Sequence, residues 1–178
     1  MEFLAHHTDC DLAMVVASMS ADILGVSSVQ DSIEYYVGRA WVYEAAAEPA
    51  KMKAAADSGL AIVRRLLSVR GQDPNVARGL DLKLAGFLAV QGDQQGSLAS
   101  LQRFRNEPEL AKYPDGAVAG QTACFSSLVY AELALVDRLI PELQRCVSLP
   151  GGYSRPVVRA SPSFARYLDD PRVRAVLR

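Results

Sequence analysis

The stretch from Asp73 to Pro108, DPNVARGLDLKLAGFLAVQGDQQGSLASLQRFRNEP, constrains the fold of this chain more than any other. Leu80, Leu82, Leu84, Phe87 and Leu88 load its first arm. Leu98, Leu101 and Phe104 recur on the second arm at the three-to-four spacing of an amphipathic helix. Gly92-Asp93 between them predicts a tight turn, so the unit is a helical hairpin. Two helices cannot bury their apolar stripes by pairing alone. The hairpin therefore needs neighbours, and similar patterns flank it, which points to a stacked helical array.

Composition agrees with helices. Half of the residues are hydrophobic, with alanine and leucine dominant and few aromatics, which disfavours a β-sandwich. At 178 residues the chain has room for one domain with a real core and not for two comfortable ones. The net charge of −1 gives no general argument for nucleic-acid binding. That charge is unevenly spread: residues 1–60 carry nine acidic and three basic side chains, a balance of −6, leaving +5 for residues 61–178. Ends of opposite sign allow a head-to-tail homo-oligomer or contact with a second domain. Cys10, Cys124 and Cys146 form no CxxC and are expected as reduced, mostly buried thiols of a cytoplasmic protein. The N-terminus lacks the basic segment of a signal peptide, and the apolar run from Leu12 to Val26 is interrupted and too short to span a bilayer.

In chain order, a first helix is expected over 9–23, with Leu12, Val15, Val16, Met19 and Ile23 on one stripe. A second covers 29–47, with Ile33, Val37, Ala40, Trp41 and Ala45 at helical spacing. A third runs from Pro49 to about Val69, with Ala55, Leu60, Ile62, Val63, Leu66 and Leu67 as core contacts. After the central hairpin, residues 109–115 read as a connector, followed by helices over 116–130 and 133–149. Pro141 either kinks the last of these or marks its true first turn, with Asp137 as the cap. Pro150-Gly151-Gly152 breaks the pattern, and the tail holds two short helix candidates, 162–167 and 171–177. The expected fold is all-α, about seven helices plus a short C-terminal cap in one domain, 1–178. Its antiparallel hairpins are placed at about 9–46, at 48–91 overlapping 73–107, and at 115–149, with a capping tail at 150–178.

The central hairpin resembles a tetratricopeptide repeat, a family that pairs helices over about 34 residues. Leu84-Ala85 and Leu88 match its first-helix positions, Gly92-Asp93 its turn, and Ser97 the small position that follows. Phe104 stands where the family usually has alanine, and Pro108 arrives one residue early. Val37-Gly38 and Trp41, with Ala50 and Ala54, fit the pattern more loosely. The row SPSFARYLDDPRVRAVLR is similar to the segment closing tetratricopeptide regions of bacterial signalling proteins, with Val173 in place of the usual phenylalanine. As a cap, Phe164 and Leu168 would cover the apolar end of the array, while Asp170 and Pro171 would start the last helix. The resemblance implies an α-α superhelix with a concave groove, and a regulatory or scaffolding role toward a protein or peptide partner.

Candidate sites follow from residue types and spacing. Tyr35, Arg39 and Tyr43 share one helix face and either anchor a partner or stack on one another as a cation–π ladder. Leu82, Gly86, Ala89 and Val90 are the groove positions of the central hairpin, an apolar wall without charge. The alternative to a protein partner is a small ligand in an apolar cavity near Tyr36, Trp41 or Phe87. His6-His7, Asp9, Cys10 and Asp11 lack the spacing of helical metal ligands and read as capping acids beside a terminus. The tail arginines, Arg155, Arg159, Arg166, Arg172, Arg174 and Arg178, read as a solvated face with pairing to Asp169 and Asp170. Without a GxSxG, P-loop, HExxH or dinucleotide loop, the chain is expected to be neither an enzyme nor a cofactor carrier.

Overall fold

The computed structural model describes residues 29–69, 73–106 and 108–178. The helix expected over 9–23 and the His6-His7 row lie outside the described residues. The protein is all-α, with no strand among the described residues. Its helices are α1 (Val29–Ala45), α2 (Pro49–Leu67), α3 (Pro74–Gln91), α4 (Gln94–Arg105), α5 (Pro108–Lys112), α6 (Ala117–Glu132) and α7 (Val136–Ser148). Three short tail helices follow: α8 (Arg155–Ala160), α9 (Pro162–Ala165) and α10 (Pro171–Val176). Proline opens α2, α3, α5, α9 and α10. The first-turn position needs no N–H donor, so proline divides the chain into helices there without breaking any. The expected connector is partly helical as α5, and α8 has no counterpart in the sequence reading.

The three hairpin turns use one hydrogen-bond pattern. At Ala47, Gly92 and Ala134 the backbone turns left-handed, with φ of 53°, 81° and 56°. In each turn the N–H of the following residue reaches back five positions: Glu48 to Tyr43 O, Asp93 to Leu88 O, and Leu135 to Tyr130 O, all at 2.9 Å. This Schellman closure satisfies helix-end carbonyls that would otherwise lack partners. Asp93 then caps α4 by accepting from the Gly96 N–H at 2.9 Å. The turns recur after 45 and 42 residues.

Helix α1 packs on α2, α2 on α3, α3 on α4, and α6 on α7, while α3 also meets α6 and so joins the central hairpin to the last. Ile33, Ala56, Leu60, Val63, Leu80, Leu84, Phe87 and Leu88 form the core between α1, α2 and α3. A second core gathers Leu101, Phe104, Leu139 and Leu143 with the tail residues Val158, Phe164, Val173 and Val176. Small residues set the closest crossings. A Cβ on Gly59 would fall 2.3 Å from the Phe87 ring, so α2 and α3 approach this closely only around a glycine. Ser97 is fully buried where α4 crosses α3, and its hydroxyl donates to Ala85 O at 2.7 Å.

The tail closes the bundle largely as expected. Phe164 is fully buried and Leu168 half-buried, while Asp170 caps α10 by accepting from the Arg172 N–H at 2.8 Å. Four of the six arginines tie the tail down. Arg155 and Arg159 donate to the Val176 and Leu177 carbonyls, Arg166 to the Ala131 carbonyl, and Arg172 bridges Asp170 and Asp137.

Three expectations are corrected. Cys124 and Cys146 are buried but not reduced: they form a disulfide across the α6–α7 hairpin, whose Cα atoms lie 4.6 Å apart. Close by, Gly120 lets α6 meet the turn that follows α7, because a Cβ there would sit 2.1 Å from Pro150 O. The inference of a cytoplasmic location from free thiols loses its ground for these two cysteines. Of the two readings of Pro141, the one that makes it the first turn fails. The proline lies inside α7, and Asp137 sits in the first turn bonded to Arg172 rather than serving as the cap, a place taken by Leu135. Trp41 and Ala45 leave the core face of α1, and Tyr43 occupies it.

Two measurements follow from these features. Ala134 adopts a backbone region that costs L-residues about 1 kcal/mol relative to glycine, so Ala134→Gly should raise the denaturation midpoint; a lowered midpoint would contradict the assigned turn. The chain has three cysteines, so the unreduced, denatured protein should titrate one thiol, rising to three after reduction.

Candidate functional site

The same helices that build the cores leave a concavity between α1, α3 and α6. Helix α1 contributes Glu34, Val37, Gly38, Trp41 and Glu44, and α3 contributes Leu82, Lys83, Gly86, Phe87 and Val90. Helix α6 adds Phe125, Leu128 and Glu132, and the tail adds Tyr153 and Ser163. The cleft holds about 380 Å³ and its lining is mostly apolar. Its depth comes from two glycines. A Cβ on Gly38 or on Gly86 would meet nothing within 4 Å, so both face open space although both are interior to helices. Trp41, the single tryptophan of the chain, is 44% exposed on the α1 wall.

Charge sits at the two ends of the α1 wall. At one end Lys83 binds Glu34 at 2.8 Å and lies 6.0 Å from the centre of the Phe125 ring. At the other, Glu44 accepts from the Ser163 hydroxyl at 2.8 Å and shares a hydrogen bond with Glu132. Burial raises the Glu132 carboxyl to about 8; the charge of Glu44 and the shared hydrogen bond push the same way, and Arg166 pulls it down. Glu132 thus keeps its proton near neutral pH, facing Glu44. Burial likewise raises the Tyr153 phenol.

Of the residues singled out in sequence, Leu82 and Val90 line the cleft, as do Gly86, Trp41 and Phe87. Ala89 and Tyr36 do not line it, and Lys83 brings a charge to a wall read as uncharged. Tyr35, Arg39 and Tyr43 occupy a different face of α1. Arg39 donates to Tyr35 Oη at 2.9 Å and to Tyr43 Oη at 2.6 Å, with its guanidinium carbon 5.4 Å from both ring centres. Tyr43 is buried, so this ladder braces the helix. Arg159, Arg174 and Arg178 frame a second hollow of about 540 Å³ against Leu168 and Pro171. Among the described residues no group of three His, Cys, Asp or Glu could hold a metal ion, and no helix is long and apolar enough to cross a membrane.

The carboxyl pair escaped the sequence reading because Glu44 and Glu132 belong to different hairpins and no local motif links them. Gly38 and Gly86 did carry a signal. Glycine inside a helical pattern costs about 1 kcal/mol relative to alanine and calls for a reason.

A raised carboxyl makes stability depend on pH. The unfolded chain ionises Glu132 near its ordinary 4.5, whereas the folded protein keeps the proton to about 8. Between those values the native state binds more protons, so stability falls as pH rises and levels off above the window. Glu132→Gln removes this slope. It should be more stable than wild type by about 1–3 kcal/mol at pH 8 and nearly equal to it at pH 4 in denaturant titrations. Equal curves at pH 8 would contradict the buried pair. No protein-family model matches the chain, and neither does any curated protein or solved structure.

Proposed function

We propose that this chain is a non-catalytic recognition module that binds a protein or peptide segment in the cleft between α1, α3 and α6. The observation that carries the reading is the pair Gly38 and Gly86. Each forgoes helix stability, neither is needed for packing, and together they keep the floor of the cleft empty. Exposed Trp41 beside them is the kind of large, stiff aromatic that anchors protein interfaces. The helices that open the three hairpins all face the cleft, as a resemblance to tetratricopeptide repeats implies. The 45- and 42-residue recurrence of the turns is longer than that family's repeat of about 34, so the proposed relationship is one of arrangement rather than of period. In this role the module would scaffold or regulate a partner protein.

One observation favours a second reading. The cleft volume of about 380 Å³ falls among small-molecule sites, which span roughly 300–1,000 Å³. The two readings separate in one experiment, because Trp41 reports occupancy through its fluorescence. Peptides selected from a randomised library should shift Trp41 emission to the blue. Gly86→Leu, which fills the floor, should abolish that shift while leaving the circular dichroism spectrum unchanged. Gly86→Ala should instead raise stability by about 0.5–1 kcal/mol and weaken binding. Selected peptides that bind Gly86→Leu as well as wild type would remove the cleft as their site. A metabolite panel that shifts Trp41 when no peptide does would favour the small-ligand reading.

A further inference from the structure

We propose that the Glu44–Glu132 end of the cleft receives the cationic side chain of a lysine or arginine in a bound peptide whose neighbouring residues are apolar. The inference deepens the proposed peptide-binding role and rests on it.

Four features of the site carry the assignment. The first is charge complementarity. Of the carboxylates lining the cleft, Glu34 is matched by Lys83 at 2.8 Å, whereas Glu44 and Glu132 face each other and share a hydrogen bond that requires a proton between them. The proton stands where a stronger cation fits. An ammonium or guanidinium brings several donors and a full charge, and charge-assisted bonds to carboxylates are about twice as strong as neutral ones. Second, the neighbouring donors have bonds of their own. Ser163 donates to Glu44, and Arg166, whose charge acts on Glu132, donates through Nη2 to the Ala131 and Glu132 carbonyls.

Third, the walls suit the rest of such a residue. Leu128 and Val90 offer apolar surface to a methylene stem, and Trp41 offers an aromatic face near a cation. Fourth, length favours a peptide over a free amine. Glu34 and Glu44 are ten positions apart on α1, which is roughly 15 Å of helix and matches about four or five extended residues. A segment of that length would place its cation at Glu44–Glu132 and its far end beside the Glu34–Lys83 pair. The first 28 residues of this chain make a poor occupant, since they hold four acidic and no basic side chains.

Ion exchange at the pair gives the binding a pH signature. The cation displaces the Glu132 proton, so apparent affinity should rise with pH up to about 8, by up to tenfold per unit for one proton released, and level off above it. Over that range lysine and arginine side chains stay charged. Arg166 of the tail acts on Glu132, while Tyr153 lines the same cleft and the Glu34–Lys83 bridge stands at its other end.

The test is selection of a displayed random hexapeptide library on the full chain, followed by titration of the selected peptides at several pH values. The expected result is enrichment of one lysine or arginine flanked by apolar residues. Replacing it with norleucine or citrulline should weaken binding about tenfold, as should Glu132→Gln, which keeps the side-chain shape. Wild-type affinity should climb with pH, and that of Glu132→Gln should not. Enrichment of peptides without a cation, bound equally by Glu132→Gln, would overturn the cation assignment and leave the peptide groove standing. Failure to enrich any sequence would overturn both. A Trp41 shift with n-butylammonium alone, in the absence of peptide selection, would reassign the carboxyl pair to small amines and overturn the peptide inference.

Discussion

The contact on which the fold turns is that of the Phe87 ring against the backbone of Gly59. Helix α3 stands at the middle of the molecule, with α2 on one side, α4 on another and α6 beyond. It can do so because the α2 crossing is close enough to leave no room for a Cβ at residue 59. Phe87 is almost wholly buried by that approach, yet it also contributes to the cleft wall. One side chain therefore couples the depth of the core to the shape of the site. Adding a methyl group at Gly59 would favour the helix intrinsically but would move the ring, and in a close-packed interior such displacement costs more than the propensity returns.

The chain's regular architecture was legible where local chemistry sufficed. Gly92-Asp93 between two amphipathic stretches announced the central hairpin, because a left-handed residue followed by a capping acid has few other uses. Ala47 and Ala134 perform the same turn without glycine, so no residue type betrays them, and the three equivalent closures emerge only from backbone hydrogen bonds. The Asp170-Pro171 start of α10 was equally readable. Pro141 was not. A proline that begins five other helices here lies within α7, where the missing N–H is tolerated because the packing of Leu139, Leu143 and Cys146 holds the helix in place.

Features built from distant residues were the illegible ones. Cys124 and Cys146 are 22 positions apart with no motif between them, and they meet because α6 packs on α7. Tyr35, Arg39 and Tyr43 show the converse. Their spacing correctly placed them on one face, but spacing does not tell whether that face looks toward a partner or toward its own core. The structure turns Tyr43 inward and gives Arg39 both phenols. Both terminal nitrogens of Arg39 are thus bonded within its own helix.

Departures from stable design are informative by where they gather. Natural chains accept local costs mostly at sites that do something with them. Here the costs share one cleft: two glycines interior to helices with empty space above them, a tryptophan left 44% exposed, and a carboxyl forced toward neutrality by burial beside a second one. Any of these alone has a bland account. Glycine at position 79 also faces open space without lining the cleft, and exposed aromatics occur elsewhere on the surface, at Tyr113. Their coincidence is different, because the three act on separate terms of the folding free energy (backbone entropy, apolar hydration and charge desolvation) and would be relieved together by one occupant. In the proposed role, a ligand with apolar bulk and a positive charge would fill the void over the glycines, cover the indole and replace the Glu132 proton. The stability surrendered by the empty cleft would then return as binding free energy, so the proposal rests on this coincidence of costs and not on any single motif in the chain.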